Sequence, residues 1–221
     1  MSHGPDVSTG GVAIRPGTDA SRGALCILVL AATRFEGRAW ARLRMHASGR
    51  VHVAVTGIGP DRALRGARSA IRTYQPDWVV GTGLCGALTT DAMRGELALP
   101  SRVIDAQSMD GLTVQPLPGT ATEGAMVSVP KVAATLEGKS ALYAATAARW
   151  VDMESYSWGV AAAEQNVPFT VVRVVLDTAG DVLPHLAHPK TWWAVASLPG
   201  QALAARRRLA EVGRWVLCGR T

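Results

Sequence analysis

Two segments, V-D-M-E-S at residues 151–155 and V-P-F-T-V-V-R-V-V-L-D at residues 167–177, frame the stretch that decides the architecture. Residues 169–176 are apolar almost without a break. That pattern suits a strand buried on both faces, since alternation is expected only where one face meets water. Residues 153–165, between the two segments, are compatible with a helix. Working outward, near-continuous apolar runs at 25–30, 51–56 and 78–82 repeat the strand signature. Helix-compatible stretches lie at 35–46, at 60–73, which Pro60 opens near its first turn, and at 139–148. This alternation predicts one α/β domain over residues 24–221, with a central mixed sheet flanked by helices. Residues 107–124, with Gly111, Pro116, Pro118 and Gly119, read as a long loop of the kind that is often functional.

Composition narrows the class. With 221 residues, 48% of them hydrophobic and 18% charged, the chain can bury a substantial core and is too apolar to be disordered. Its longest unbroken apolar run, residues 24–32, falls well short of the roughly 18 residues that a membrane span requires. The first 23 residues contain five glycines and two prolines, with no charged start leading into an apolar block. They are expected to form a flexible extension rather than a signal peptide. Cys26, Cys85 and Cys218 are far apart and never in a C-x-x-C spacing, so neither a disulfide framework nor a zinc site is expected; a reducing cytoplasm fits.

Net charge is +6, but five arginines against one acid in residues 201–221 account for four of those charges. No helix-turn-helix, zinc finger or aromatic RNA-binding pattern accompanies them, and nucleic acid is not an expected partner. Leu209, Val212 and Val216 recur at helical spacing, while Arg207, Glu211 and Arg214 take another face. Trp215 lies between them, and Trp192 and Trp193 lie upstream. The favoured reading is a C-terminal helix packed on the sheet; the alternative is peripheral contact of this basic helix with an anionic membrane surface.

Gly81-Thr82-Gly83-Leu84-Cys85-Gly86 formally spells a dinucleotide fingerprint, with Asp105 nineteen residues beyond. Only eight residues separate Gly86 from Gly95, too few for the crossover helix that would bear a pyrophosphate. No organic cofactor is expected. The glycines are read instead as a sharp turn at the end of a central strand, where backbone can approach a ligand. His185 and His188 sit between Pro184 and Pro189 without a third ligand, so no metal is expected. Cys85 has no assignable base and is read as a small buried thiol rather than a nucleophile.

The segments at 151–155 and 167–177 resemble the purine nucleoside phosphorylase and nucleosidase superfamily. Matches continue through residues 27–36, Thr56-Gly57-Ile58-Gly59, residues 81–88 and Gly95-Glu96-Leu97, so the resemblance covers about residues 24–217. Within the superfamily, Met153-Glu154 is similar to the ribose motif of methylthioadenosine nucleosidase. Asp152-Met153-Glu154-Ser155, together with Asp177 and Leu183-Pro184, most resembles hopanoid-associated phosphorylase, a group thought to release adenine from adenosylhopane. The resemblance implies a three-layer fold around a twisted mixed sheet. It also implies a homodimer, and a substrate that is a small or lipid-linked nucleoside with a substituted 5′ carbon.

Breaking the bond between ribose and a purine passes through a ribosyl cation, so the sugar needs negative charge nearby and the departing base needs a proton. By resemblance Asp177 is the catalytic acid serving N7; desolvation at the end of an apolar strand would raise its pKa. From spacing alone, Asp177 could equally cap a helix or pair with Arg173. Glu154 can accept both ribose hydroxyls, and also suits the start of a helix dipole. Met153 would pack on the sugar, or in the core. Glu36 stands where the nucleosidases orient a water, or is a surface acid between Arg34 and Arg38. Gly83, Leu84, Cys85, Gly86, Val132 and Arg173 are the expected base-binding or pocket residues. The nucleosidases stack a Phe at the place aligned with Val132, so stacking is weaker here. Asp177, rather than Asn, points to a 6-aminopurine. Phosphorylases of the superfamily carry Arg and Ser where this chain has Gly81 and Leu84, which favours water; phosphate remains open as a co-substrate, held by Arg34 or Arg38. Trp158, Trp192 and Trp193 could line a 5′ pocket or simply fill the core.

Overall fold

The computed structural model describes residues 25–41, 50–117, 120–182 and 199–218, the last without the side chains of 199–202, 212 and 214–218. The N-terminal extension, Leu183, His185, His188, Trp192 and Trp193 lie outside these residues, as do the side chains of Val212, Trp215 and Val216. In chain order come β1 (Cys26–Ala31), α1 (Arg34–Ala41), β2 (Arg50–Val55), α2 (Pro60–Tyr74) and β3 (Trp78–Ala87). Four short strands follow: β4 (Leu97–Ala98), β5 (Arg102–Asp105), β6 (Gly111–Thr113) and β7 (Ala125–Ser128). Then come α3 (Leu136–Thr146), β8 (Trp150–Asp152), α4 (Ser155–Ala163), β9 (Phe169–Asp177) and α5 (Pro199–Cys218).

The described strands form one mixed sheet centred on β3 and β9. β1 runs parallel to both β2 and β3, and β9 lies parallel to β3 from Val79 to Gly86. Beyond the end of β1, Gly86 and Ala87 pair antiparallel with β8, which leads on through β7 and β5 to β6. Alternate residues of the central strands face opposite helix layers. Leu28, Leu30, Val171 and Val175 meet Ala63, Ala67, Trp158 and Ala161 of α2 and α4. Val29, Val80, Val172 and Val174 meet Trp40 of α1 and Leu209 of α5. This is the three-layer α/β/α arrangement, and it explains why β9 reads as continuously apolar: every residue in it is buried.

Four expectations need correction. The glycine motif is not a turn: residues 81–86 lie inside β3, with an irregularity between Cys85 and Gly86. The stretch 107–124 contains β6, paired with β5, so it is not loop throughout. β2 is only partly buried, as befits the sheet's edge. The helix expected from residue 139 starts at Leu136, because Thr135 caps it by accepting from Gly138 N. The C-terminal helix does pack on the molecule, burying Ala205 and Leu209, while Arg207 and Arg208 stay exposed.

Candidate active site

Two hollows adjoin at the C-terminal ends of β3 and β9, sharing Val151, Asp152 and Met153 as lining. The first, with ≈ 250 Å³ of space, is closed by Gly86, Val129, Val132 and Asp177; the second, with ≈ 340 Å³, by Thr33, Glu36, Ile58, Leu84 and Glu154.

Asp177 is the last residue of β9, and the irregularity in β3 sets Gly86 directly beside it. A Cβ on Gly86 would stand 2.9 Å from Oδ2 and 3.1 Å from Oδ1, so glycine is required for the carboxylate to lie there. Lys139 of α3 donates from Nζ to Oδ2 at 2.5 Å, and also to the carbonyls of Thr178 at 2.6 Å and Asp181 at 3.2 Å. Oδ1 is buried with no hydrogen-bond partner. Burial pushes the Asp177 carboxyl above its usual range, and the charge and hydrogen bond of Lys139 oppose that rise. Asp177 therefore pairs with Lys139, not Arg173.

Glu36 is buried rather than a surface acid. It completes a capping box with Thr33: Oε2 accepts from Thr33 N at 3.0 Å and Oγ1 at 2.7 Å, while Thr33 Oγ1 accepts from Glu36 N at 3.3 Å. Oε1 accepts from Leu84 N at 3.1 Å, which ties the start of α1 to β3. A Cβ at Gly83 would lie 2.5 Å from this oxygen and 2.7 Å from Arg173 Nη1. The glycines at 83 and 86 thus make room for acidic side chains.

Glu154 stands immediately before α4 without capping it. Its Oε1 accepts from Gly59 N at 3.0 Å and Oε2 from Arg173 Nη2 at 3.4 Å. Burial, with the charges of Asp152 and Glu36 adding to it, raises its pKa to about 7 against the lowering effects of Arg173 and the Gly59 N–H.

Arg173 does not line either hollow. It lies beneath them, buried, bound to Asp152 Oδ2 at 2.5 Å, Ser155 Oγ at 3.1 Å and the Leu84 carbonyl at 3.2 Å, with Trp158 4.8 Å from its guanidinium carbon. An arginine in an unbroken apolar strand needs buried acids close by, and these are they. Cys85 is also buried away from the lining, and desolvation holds its thiol far above the usual range, as an inert core thiol should be. Leu84 lines the hollow of Glu36 and Glu154, not that of Asp177. Val132 does line the latter.

Arg34 and Arg38 are exposed and line neither hollow. Two residues from Glu36 on a helix, each lies about 200° around the axis from it. Missing from the sequence reading are Lys139, Asp152 as a charge partner, and Thr33. The T-x-x-E spacing at 33–36 signals the last; no local pattern signals Lys139. Among the described residues, no group of His, Cys, Asp and Glu is arranged to hold a metal.

The family model described as the Phosphorylase superfamily matches residues 31–121. No curated protein matches the sequence. Among solved structures, the 5′-methylthioadenosine/S-adenosyl homocysteine nucleosidase of Helicobacter pylori superposes with TM-score 0.75 at 16% identity, over 90% of this chain and 100% of that one. The chain has the nucleosidase fold. A 5′-methylthioadenosine nucleosidase of Arabidopsis thaliana shares it at TM-score 0.73 and 15% identity, covering 90% of this chain and 98% of that one. Futalosine hydrolase of Helicobacter pylori does so at TM-score 0.70 and 17% identity, covering 85% and 95%.

Proposed function

We propose that the protein cleaves the N-glycosidic bond of a 5′-substituted adenosine, with adenosylhopane as first candidate, and releases adenine. One observation carries this reading. Asp177, whose Oδ1 is buried without a partner, lines the hollow that adjoins, across Met153, the one lined by Glu36 and Glu154. A nucleoside laid over Met153 has its base at Asp177 and its sugar at the two glutamates.

The chemistry follows from that pose. As the bond from C1′ to the purine breaks, its electron pair goes to the base, and a proton on Asp177 Oδ1 passes to N7. Glu154 accepts from the ribose hydroxyls and fixes the sugar where positive charge develops. Water adds to C1′ and loses its proton to Glu36, whose carboxylate is held by three donated hydrogen bonds. Water is favoured over phosphate on electrostatic grounds: Glu36, Asp152 and Glu154 line the sugar-side hollow, and among the described residues no cationic side chain does.

The solved nucleosidases that share the fold favour a second reading, a methylthioadenosine or S-adenosylhomocysteine nucleosidase. A non-catalytic nucleoside-binding protein is the third. A second copy of the chain is the expected assembly, and the exposed Arg207 and Arg208 of α5 are the face that could approach an anionic membrane. The test follows free adenine from adenosylhopane, methylthioadenosine and adenosine, with and without phosphate. Asp177→Asn is expected to lose at least about 100-fold in rate, the scale of a general acid. Undiminished release by this variant refutes the assignment, and a sugar 1-phosphate product refutes the hydrolytic step.

A further inference from the structure

We propose that Lys139 is a positioning residue of this site: its ammonium holds Oδ2 of Asp177, so that Oδ1 alone faces the leaving base. The proposal rests on the nucleosidase reading above and deepens it.

A lysine at this place is costly on two counts. It is buried, where an ammonium loses its hydration. It also lies in the first turn of α3, where the helix dipole disfavours a cation. Three acceptors compensate: Asp177 Oδ2, the Thr178 carbonyl and the Asp181 carbonyl, which together use all three N–H groups. The lysine is therefore not free to swing towards a substrate, and it is not itself part of the hollow's lining. Gly86 leaves the room the carboxylate needs, since a Cβ there would stand 2.9 Å from Oδ2 and 3.1 Å from Oδ1. The ammonium thus satisfies one oxygen and leaves the other bare.

This arrangement does for proton transfer what an isolated buried acid could not. Burial alone would make Asp177 hold its proton too tightly to surrender it. The ammonium favours the carboxylate that remains after transfer, so it lowers the cost of giving the proton to N7. The other charged groups near Asp177 largely cancel: Arg94 and Asp181 pair with each other at 2.6 Å, and Asp152 on β8 is paired with Arg173. Among the described residues, Lys139 is left as the unshared cation beside the acid.

The test compares pH–rate profiles of adenine release for the wild type, Lys139→Met and Lys139→Arg, with folding checked by circular dichroism. Removing the cation makes the Asp177 proton harder to lose, so in Lys139→Met the alkaline fall of kcat/KM moves up by about 1–3 pH units. Its kcat drops while KM changes little, and Lys139→Arg restores the wild-type limb. A folded Lys139→Met with an unmoved limb overturns the proposal. Should that variant not fold, the wild type decides by nitrogen-detected NMR of lysine ammonium groups. A slowly exchanging ammonium signal that shifts on Asp177→Asn is expected; its absence, or its indifference to that substitution, overturns the proposal. Full adenine release by Asp177→Asn would instead remove the nucleosidase reading itself. An inactive Asp177→Asn beside an unmoved Lys139→Met limb removes only the role of Lys139.

Discussion

The two halves of the cleft handle negative charge in opposite ways. At the base end Asp177 has the ammonium of Lys139 beside it; Asp152, the other acid of that lining, is paired with Arg173, and the remaining walls are chiefly apolar, from Val129, Val132 and Val151. At the sugar end Asp152 and Glu154 share the guanidinium of Arg173, and Glu36, hydrogen-bonded to Thr33 and Leu84, adds a third carboxylate nearby. The difference fits two different tasks. A proton donor works best when the charge left behind is matched by one partner, whereas a site that receives a cation gains from an excess of negative charge. Arg173 does not abolish that excess. It makes it tolerable in the resting protein, where burial first, and the charges of Asp152 and Glu36 after it, hold the Glu154 pKa up against the pull of Arg173.

The largest effect should come from breaking the shared cation. Arg173→Met leaves Asp152 and Glu154 buried without their partner, and breaking a buried pair in this way costs about 3–5 kcal/mol. Against a typical total of about 5–15 kcal/mol, that brings the fold close to its limit. A urea midpoint well below that of Lys139→Met, which strands only one carboxylate, is the expected outcome. Equal midpoints would mean that the two ends do not differ as described.

Next in size is the pH dependence that Glu154 imposes. Its pKa is about 7 in the folded chain, above the ordinary value of 4.5 that applies on unfolding. Below pH 4.5 both states hold the proton and nothing is lost. Between about pH 4.5 and 7 the folded state retains the proton that the unfolded state has released, so stability falls as pH rises, then levels. Glu154→Gln removes this contribution. Measured by urea unfolding at pH 5 and pH 8, it should lose less stability between the two than the wild type does.

The legible parts of the molecule were those with long-range regularity. β9 and the other central strands announce themselves by unbroken apolar runs, and α2 by Pro60 and its spaced alanines. The acids at 36, 154 and 177 were legible through the family resemblance, while spacing alone left a cap, a helix start or a surface acid open; all three line the cleft. The short strands β4 to β8, of two to four residues, carry too few positions to show a period. Lys139 was illegible for a different reason: its partner is 38 residues away and its helix has no polar pattern around it. Arg173 was visible but placed wrongly. Charge in an apolar strand says that acids are close, not whether the guanidinium faces a ligand or lies beneath the acids that do.

The smallest effect is the one that most sharply tests burial as the cause of these differences, because the same helix carries an ion pair at each end. Glu154, just before α4, meets Arg173 in the interior. Glu164, just after α4, meets Arg68 of α2 at the surface, through two hydrogen bonds of 2.5 and 2.8 Å. By geometry the outer pair is the better one, since Arg173 reaches Glu154 at only 3.4 Å. Water and salt surround the outer pair, however, and both long side chains surrender rotamer freedom to form it. Arg68→Ala should therefore leave the melting temperature unchanged within error, and raising the salt concentration should not separate variant from wild type. A clear loss on Arg68→Ala would show that geometry outweighs burial in this protein, and would shift the explanation of the Arg173 network from its isolation from water to its hydrogen bonds.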